Sequence, residues 1–130
     1  MAKKEDVEKA KLEHPGAIVL AHPECGTAVC GVVDEMLSTG QMIKFAKQSS
    51  ASQFIIATEI GIIHTLKKQN PEKEFFEATP AATCHNMKKI TLEKLAWSLE
   101  DMKHVVTVDE QIGIKAKASL DRMLEILPKK

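Results

Sequence analysis

One short apolar run, residues 17–21, constrains the fold more than any other part of the chain. The run shows no alternation of apolar and polar residues, which predicts a strand covered on both faces, as in a parallel sheet. Pro23 has no backbone N–H and therefore ends the strand. His22 and Glu24 then lie beyond its carboxyl end, where open α/β sheets bind ligands. A strand followed by an ordinary polar turn explains these residues equally well.

Helical and strand patterns alternate along the chain. The predicted strands cover residues 17–21, 53–58 and 74–78, and residues 104–108 form a short extended piece. The predicted helices cover residues 5–14, 26–37, 41–48, 61–69, 91–103 and 110–127. This order predicts an α/β fold, a three-layer sandwich with a short, mainly parallel sheet flanked by helices. The third strand carries charges and is expected near an edge. We predict an α/β domain over residues 1–108 and a C-terminal helix over residues 109–130.

Composition excludes several classes of function. The 130 residues have a formal net charge of zero, so no basic field favours nucleic acid and no polybasic cluster favours a membrane surface. No signal peptide or long apolar run is present in the sequence, and we expect a cytoplasmic protein. Three cysteines, an odd number, argue against a disulfide framework.

Three polar loops follow strands or precede helices in this prediction. They are His22-Pro23-Glu24, Ser38-Thr39-Gly40 and Thr83-Cys84-His85-Asn86, and they are expected to converge on one face of the sheet. An imidazole, two hydroxyls and the amides of a helix N-terminus suit a small carboxylate or phosphate. Simple helix capping explains the second loop as well. The cations at 88–89 are solvated or help to hold an anion, while Glu59 is accounted for by a helix dipole.

The cysteines admit more than one interpretation. Cys84 lies in a polar loop but has no second cysteine at the spacing of a self-contained zinc or iron–sulfur motif. A lone cysteine is often a small buried apolar residue. Cys25 and Cys30 are five residues apart and would need His22 and His85 to complete a metal site, a spacing unlike common zinc patterns. Cys30 is expected to pack within a helix.

Four blocks together resemble one enzyme family. They are residues 21–25 (AHPEC), 37–44 (LSTGQMIK), 54–62 (FIIATEIGI) and 83–94 (TCHNMKKITLEK), and the likeness continues through Trp97 to Glu100. Their order and spacing closely resemble the C-terminal portion of quinolinate synthase. The resemblance implies one of three similar α/β domains with pseudo-threefold symmetry and an active site at their junction.

The resemblance also implies a reaction and a cofactor. The family condenses iminosuccinate with dihydroxyacetone phosphate to quinolinate, the precursor of the NAD pyridine ring, with loss of phosphate and water. Each domain supplies one cysteine to a [4Fe-4S] cluster whose fourth iron stays open as a Lewis acid. Cys84 matches the third cluster ligand, whereas Cys25 does not match a ligand. The remaining ligands belong to other domains or other chains.

Individual residues carry over from the family in the same way. His22, Pro23 and Glu24 match the block that lines the iminosuccinate site. Thr39, beside Ser38, matches the threonine that binds a substrate carboxylate. Glu24 is then the candidate for proton transfer and His22 positions or assists it. The resemblance implies a transferase with Glu24 and His22 as catalytic residues.

The family chain is more than twice as long as this one. We expect a fragment that needs upstream domains, a split subunit, or a domain that forms a homotrimer in which three copies of Cys84 meet on an axis. The monomer alone is expected to be inactive. The rival hypothesis is a non-catalytic α/β module that binds a small dicarboxylate or a partner chain, with structural thiols.

Overall fold

A computed structural model of the protein describes residues 2–126. The chain separates into two compact units, one up to Lys89 and one from Ile90 onward. The domain boundary predicted after Val108 lies inside the second of these units. The polar loops of interest all belong to the first unit.

The first unit is built on a four-stranded sheet. Its strands are β1 (Ile18–Ala21), β2 (Glu35–Met36), β3 (Gln53–Ile56) and β4 (Glu74–Glu77). Its helices are α1 (Lys4–Glu13), α2 (Thr27–Cys30), α3 (Thr39–Gln48) and α4 (Ile62–Gln69), followed by a 3₁₀ turn at His85–Lys88. The sheet order is β2-β1-β3-β4 and every pair is parallel. The predicted α/β class, the parallel sheet and the edge position of β4 are confirmed.

Alternate residues of the central strands face opposite layers of helix. On one face the buried side chains include Val7 and Ala10 of α1, Val29 of α2, Val19, Ala21 and Ile55 of the sheet, and Ala57 just after β3. On the other face they are Met42 and Ala46 of α3, Leu66 of α4, and Leu20, Phe54, Ile56 and Phe75 of the sheet. Both faces of β1 and β3 are therefore covered, which is why neither strand alternates in polarity. The predicted three-layer sandwich is confirmed.

The helix predicted over residues 26–37 is wrong in its extent. α2 ends at Cys30, and Glu35–Met36 instead pair in parallel with the end of β1. The apolar spacing that suggested a helix has another cause, because Val32 and Val33 pack against the α1 side of the core from an irregular segment. Gly31 and two consecutive β-branched residues have low helix propensity, so local preference also favours this early end.

Asp34 connects this irregular segment to the sheet. One carboxylate oxygen, Oδ2, accepts the N–H of buried Val19 at 2.7 Å, and the Asp34 N–H donates to the Val19 carbonyl at 3.1 Å. Lys11 of α1 donates to the Val32 carbonyl at 2.9 Å and lies 3.3 Å from Asp34 Oδ1. The Asp34 side chain therefore joins β1, β2 and α1, a role that hydrophobic periodicity does not reveal.

The second unit holds two helices, α5 (Leu92–Asp101) and α6 (Glu110–Ile126). The Lys94 N–H donates to the Thr91 hydroxyl at 3.3 Å, and Asp109 Oδ1 accepts the N–H groups of Gln111 and Ile112 at 3.0 and 3.1 Å. These contacts confirm both predicted helix starts. Residues 103–109 form neither helix nor strand, and the predicted end of α6 at Leu127 lies outside the described residues. Within residues 2–126, no helix combines the length and apolar character needed to cross a membrane.

We expect Asp34→Ala to lower the free energy of unfolding by about 1–3 kcal/mol, because it leaves the buried Val19 N–H without an acceptor. Asp34→Asn keeps an oxygen at that position and should cost less. The measurement is urea unfolding of the full chain. Glu8→Ala, which removes an exposed ion pair with Lys4 in α1, is the control and should change stability by no more than about 0.5 kcal/mol. Equal effects of Asp34→Ala and Glu8→Ala would contradict the assignment.

Candidate functional site

A cavity of about 600 Å³ lies in the first unit, lined by the segments that follow β1, β3 and β4 and by residues of α3 and α4. The sheet order reverses between β1 and β3, since the chain moves from β1 outward to β2 and then returns to the other side of β1. Such a switch point is where open α/β sheets leave a crevice for ligands. The polar and thiol side chains that line the cavity are His22, Glu24, Cys25, Thr39, Thr58, Glu59, Thr65, Thr83, Cys84 and Lys88.

Four of the six site residues predicted from the sequence line this one cavity. His22 and Glu24 come from the loop after β1, Thr39 from the start of α3, and Cys84 from the segment after β4. The other two, Pro23 and Ser38, are adjacent in sequence but are not among the lining residues. The loops predicted to converge therefore do so through these four side chains.

The His22–Glu24 loop has a defined hydrogen-bonding pattern. The Glu24 N–H donates to His22 Nδ1 at 3.3 Å, and the Cys25 N–H donates to the His22 carbonyl at 2.9 Å. Because Nδ1 accepts this bond, a neutral imidazole carries its proton on Nε2. The Glu24 carboxylate, whose side chain is 87% exposed, has Oε2 at 3.7 Å from Nδ1. The arrangement combines an oriented ring with a nearby, largely exposed carboxylate.

The second loop divides its functions between neighbouring residues. α3 begins at Thr39, two residues earlier than the predicted Gln41, and Ser38 precedes it as the N-cap. The Ser38 N–H donates to Gln41 Oε1 at 2.9 Å, and the Met42 N–H donates to the Ser38 carbonyl at 2.8 Å. Ser38 thus begins the helix, while Thr39 lies at the cavity wall. Helix capping therefore explains Ser38, whereas Thr39 is the residue that borders the candidate site.

Cys84 stands at the start of the 3₁₀ turn and is partly buried. Its carbonyl accepts the Met87 N–H at 3.1 Å, and the Ile60 N–H donates to the nearby Ala82 carbonyl at 3.0 Å. The second of these bonds joins the segment after β4 to the segment after β3. Cys84 suits one thiolate position of an iron–sulfur cluster. Residues 2–126 contain no group of three or more potential metal-ligating side chains, so the other ligands would have to come from elsewhere.

Cys25 and Cys30 form a close pair of thiols. Their sulfur atoms are 3.4 Å apart, and both residues are partly buried. Burial raises the pKa of the Cys25 thiol above its usual 9.0, and the hydrogen bond and charge interaction with Cys30 raise this pKa further. The metal site considered for this pair with His22 and His85 is not assembled within the part of the chain that the structure describes.

Sequence reasoning missed the contacts of Glu59 with Gly61 and Lys88. Glu59 Oε2 accepts the Gly61 N–H at 2.8 Å, and Lys88 Nζ lies 3.2 Å from Oε1. Oε1 is buried and has no well-aligned hydrogen-bond donor among the described residues, so the ammonium charge is its main compensation. A Cβ at position 61 would approach Glu59 Oε2 to 2.6 Å, which explains why glycine suits this position. The only sequence signal was the short string from Thr58 to Gly61 between a strand and a helix.

We expect the Glu59–Lys88 pair to show a coupling energy of about 1 kcal/mol in a double-mutant cycle, since the Glu59 side chain is only 17% exposed. The variants are Glu59→Gln, Lys88→Gln and their combination, each unfolded in urea. The exposed Lys4–Glu8 pair of α1 provides a parallel cycle with an expected coupling of about 0.3–0.5 kcal/mol. A coupling for Glu59–Lys88 no larger than that of the control pair would contradict this prediction.

Comparison with known proteins gives a consistent result. The family model described as Quinolinate synthetase A protein matches residues 1–125. Quinolinate synthase 1 of Methanosarcina acetivorans is 49% identical over 123 residues, which cover 95% of this chain and 40% of that relative. Quinolinate synthase of Thermodesulfovibrio yellowstonii is 42% identical over 98% of this chain and 42% of its own length. That of Thermus thermophilus is 47% identical over 95% of this chain and 41% of its own length.

The chain spans about 40% of the length of the curated relatives it matches. Nearly the whole chain is nevertheless matched, including the three loops that contribute to the cavity. On this match, the chain belongs to the quinolinate synthetase A protein family.

Proposed function

We propose that this chain is part of a quinolinate synthase, a transferase that condenses iminosuccinate with dihydroxyacetone phosphate to form quinolinate for NAD biosynthesis in the cytoplasm. The observation that carries the proposal is the single cavity lined by His22, Glu24, Thr39 and Cys84. Membership of the family supports it. Because the chain spans about 40% of its relatives, turnover requires upstream domains of the enzyme or another copy of the chain.

Thr39 is the proposed anchor for a substrate carboxylate. It is the first residue of α3 and lines the cavity. The N-terminus of a helix favours a negative charge through its unpaired N–H groups and its dipole. A hydroxyl at this position adds a donor that can point at a carboxylate oxygen. Ser38 and Pro23 support this binding indirectly, because the first caps α3 and the second limits the shape of the loop after β1.

His22 and Glu24 are the proposed proton-transfer residues. With Nδ1 occupied by the Glu24 N–H, the Nε2–H of neutral His22 serves as a donor to a substrate oxygen or nitrogen. Glu24 supplies an ionised carboxylate that accepts a proton from the bound substrate. The 3.7 Å separation of Nδ1 and Oε2 allows the carboxylate to stabilise the ring once the imidazole is protonated.

Cys84 is the proposed thiolate ligand of a [4Fe-4S] cluster. When bound, such a cluster with an open iron supplies a Lewis acid that polarises substrate oxygens during dehydration. The proposal is supported by the position of Cys84 among the residues that line the same cavity as His22 and Thr39. The chain thus contributes one ligand, and the others come from upstream domains or from other chains.

The direct test is a chimera with the Methanosarcina acetivorans relative, which is 49% identical. This chain replaces the matching segment of that enzyme, and quinolinate formation from iminosuccinate and dihydroxyacetone phosphate is measured under anaerobic conditions. We expect activity in the chimera. Glu24→Gln should lower kcat by about 10²–10⁴-fold, the usual contribution of a general acid or base.

The matched control for these substitutions is Cys30→Ser, which alters a thiol of the same unit that is not among the residues lining the cavity. Its activity should equal that of the parent chimera. Thr39→Ala should raise KM for iminosuccinate more than it lowers kcat. A folded chimera without activity that still binds a dicarboxylate would instead favour the non-catalytic binding module.

Anaerobic reconstitution with iron and sulfide tests the ligand assignment in this chain itself. We expect Cys84→Ser to abolish any bound iron, whereas Cys25→Ser and Cys30→Ser retain the level of the parent chain. Iron per chain and native mass are read together. About four irons per three chains with a trimeric mass would match one [4Fe-4S] cluster per trimer and would support self-association of the chain. No iron with a monomeric mass would support completion by upstream domains, and iron retained in Cys84→Ser would overturn the assignment.

A further inference from the structure

The thiols of Cys25 and Cys30 have no part in the proposed reaction, yet they lie side by side next to its cavity. We propose that Cys25 and Cys30 form a reversible intramolecular disulfide, a modification site directly beside the His22–Glu24 loop. This inference goes beyond the proposed function and does not depend on it, since it rests on the relative position of two sulfur atoms.

The geometry needs little change for the bond to form. The sulfur atoms are 3.4 Å apart, and a disulfide requires about 2.05 Å, so the remaining gap is about 1.4 Å. Cys30 Sγ also faces the Cys25 carbonyl oxygen at 3.7 Å. Cys30 ends α2, which has only one turn, and the residues at 26 and 31 that follow the two cysteines are glycines. Rotation of the side chains with a small adjustment of this turn closes the gap.

Both thiols are accessible to a small oxidant. Cys25 and Cys30 are partly exposed, and the residues between them, apart from Val29, are exposed. No third metal-ligating group joins them within residues 2–126, which leaves the pair available for thiol chemistry. The raised pKa of Cys25 keeps its thiol protonated near neutral pH. Closure is therefore slow at neutral pH and accelerates as the pH rises, because the thiolate is the nucleophile.

The oxidant is a small-molecule disulfide such as oxidised glutathione. One protein thiolate attacks this disulfide, forms a mixed disulfide and releases one glutathione thiolate, which takes up a proton. The second protein thiolate then attacks the cysteine sulfur of the mixed disulfide, which forms the Cys25–Cys30 bond, breaks the bond to glutathione and releases the second glutathione as a thiolate that takes up a proton. The two cysteines lose two electrons and two protons in total, and the glutathione disulfide is reduced to two thiols.

The bond would limit the motion of a loop that carries two site residues. Cys25 already bonds to His22 through its backbone N–H at 2.9 Å, and it directly follows Glu24. A covalent link from Cys25 to Cys30 would tie this loop to the end of α2. The exposed Glu24 carboxylate would then have fewer accessible positions relative to the cavity.

The test uses the full chain in glutathione buffers of graded ratio, with acid quenching, alkylation, intact mass and peptide mapping. We expect the parent chain to lose two of its three free thiols with a single Cys25–Cys30 cross-link, and excess reduced glutathione to restore them. Cys84→Ser should give the same cross-link. Cys30→Ser should give only a glutathione adduct on Cys25.

The rate supplies a second readout, because thiol–disulfide exchange proceeds through the thiolate. Cross-linking in the parent chain should quicken several-fold from pH 7 to pH 8, while the far-UV signal stays unchanged. A cross-link that involves Cys84, a disulfide between two chains, or glutathione adducts without a cross-link would each overturn the proposal. Cys25→Ser keeps the test informative if Cys30→Ser fails to fold, since it removes the same bond from the other side.

Discussion

The parallel pairing of β1 with β3 is the constraint on which the rest of the first unit depends. Ile18, Val19 and Leu20 are in register with Phe54, Ile55 and Ile56, and their side chains alternate between the two helical layers. The same two strands therefore contribute buried side chains to both halves of the core. It also creates the reversal of strand order at which the cavity lies, because the segments leaving the two strands diverge to opposite sides. The β1–β3 pairing therefore supplies side chains to the core and also positions the cavity.

Much of this arrangement could be predicted from the sequence. The uninterrupted apolar runs at 17–21 and 54–57 predict strands covered on both faces, and these strands determine the sandwich. The convergence of His22, Thr39 and Cys84 on one cavity follows from the same reasoning, since the carboxyl ends of parallel strands share an edge of the sheet. Such predictions succeed where a strong apolar pattern, or a residue that ends a helix or strand, determines the local structure.

The features that could not be predicted depend on long-range contacts. β2 has only two residues, and Asp34, which precedes it, accepts the N–H of Val19 in β1. The apolar pattern over residues 26–37 gives no indication of this contact. The contact of Glu59 with Lys88 joins residues almost thirty positions apart. The prediction that Glu59 interacts with a helix terminus describes Oε2, which accepts the Gly61 N–H just before α4. The second oxygen has a separate partner that only the fold brings near.

Glu59 therefore contacts two separate segments of the chain, one with each carboxylate oxygen. One of its oxygens accepts the N–H of Gly61, the residue before α4, and the other lies 3.2 Å from Lys88 Nζ in the 3₁₀ turn that begins after Cys84. A ligand that drew Lys88 toward itself would leave the buried Oε1 without its compensating charge. Through this one side chain, the segment after β3 and the segment after β4 share a buried charge at the cavity wall.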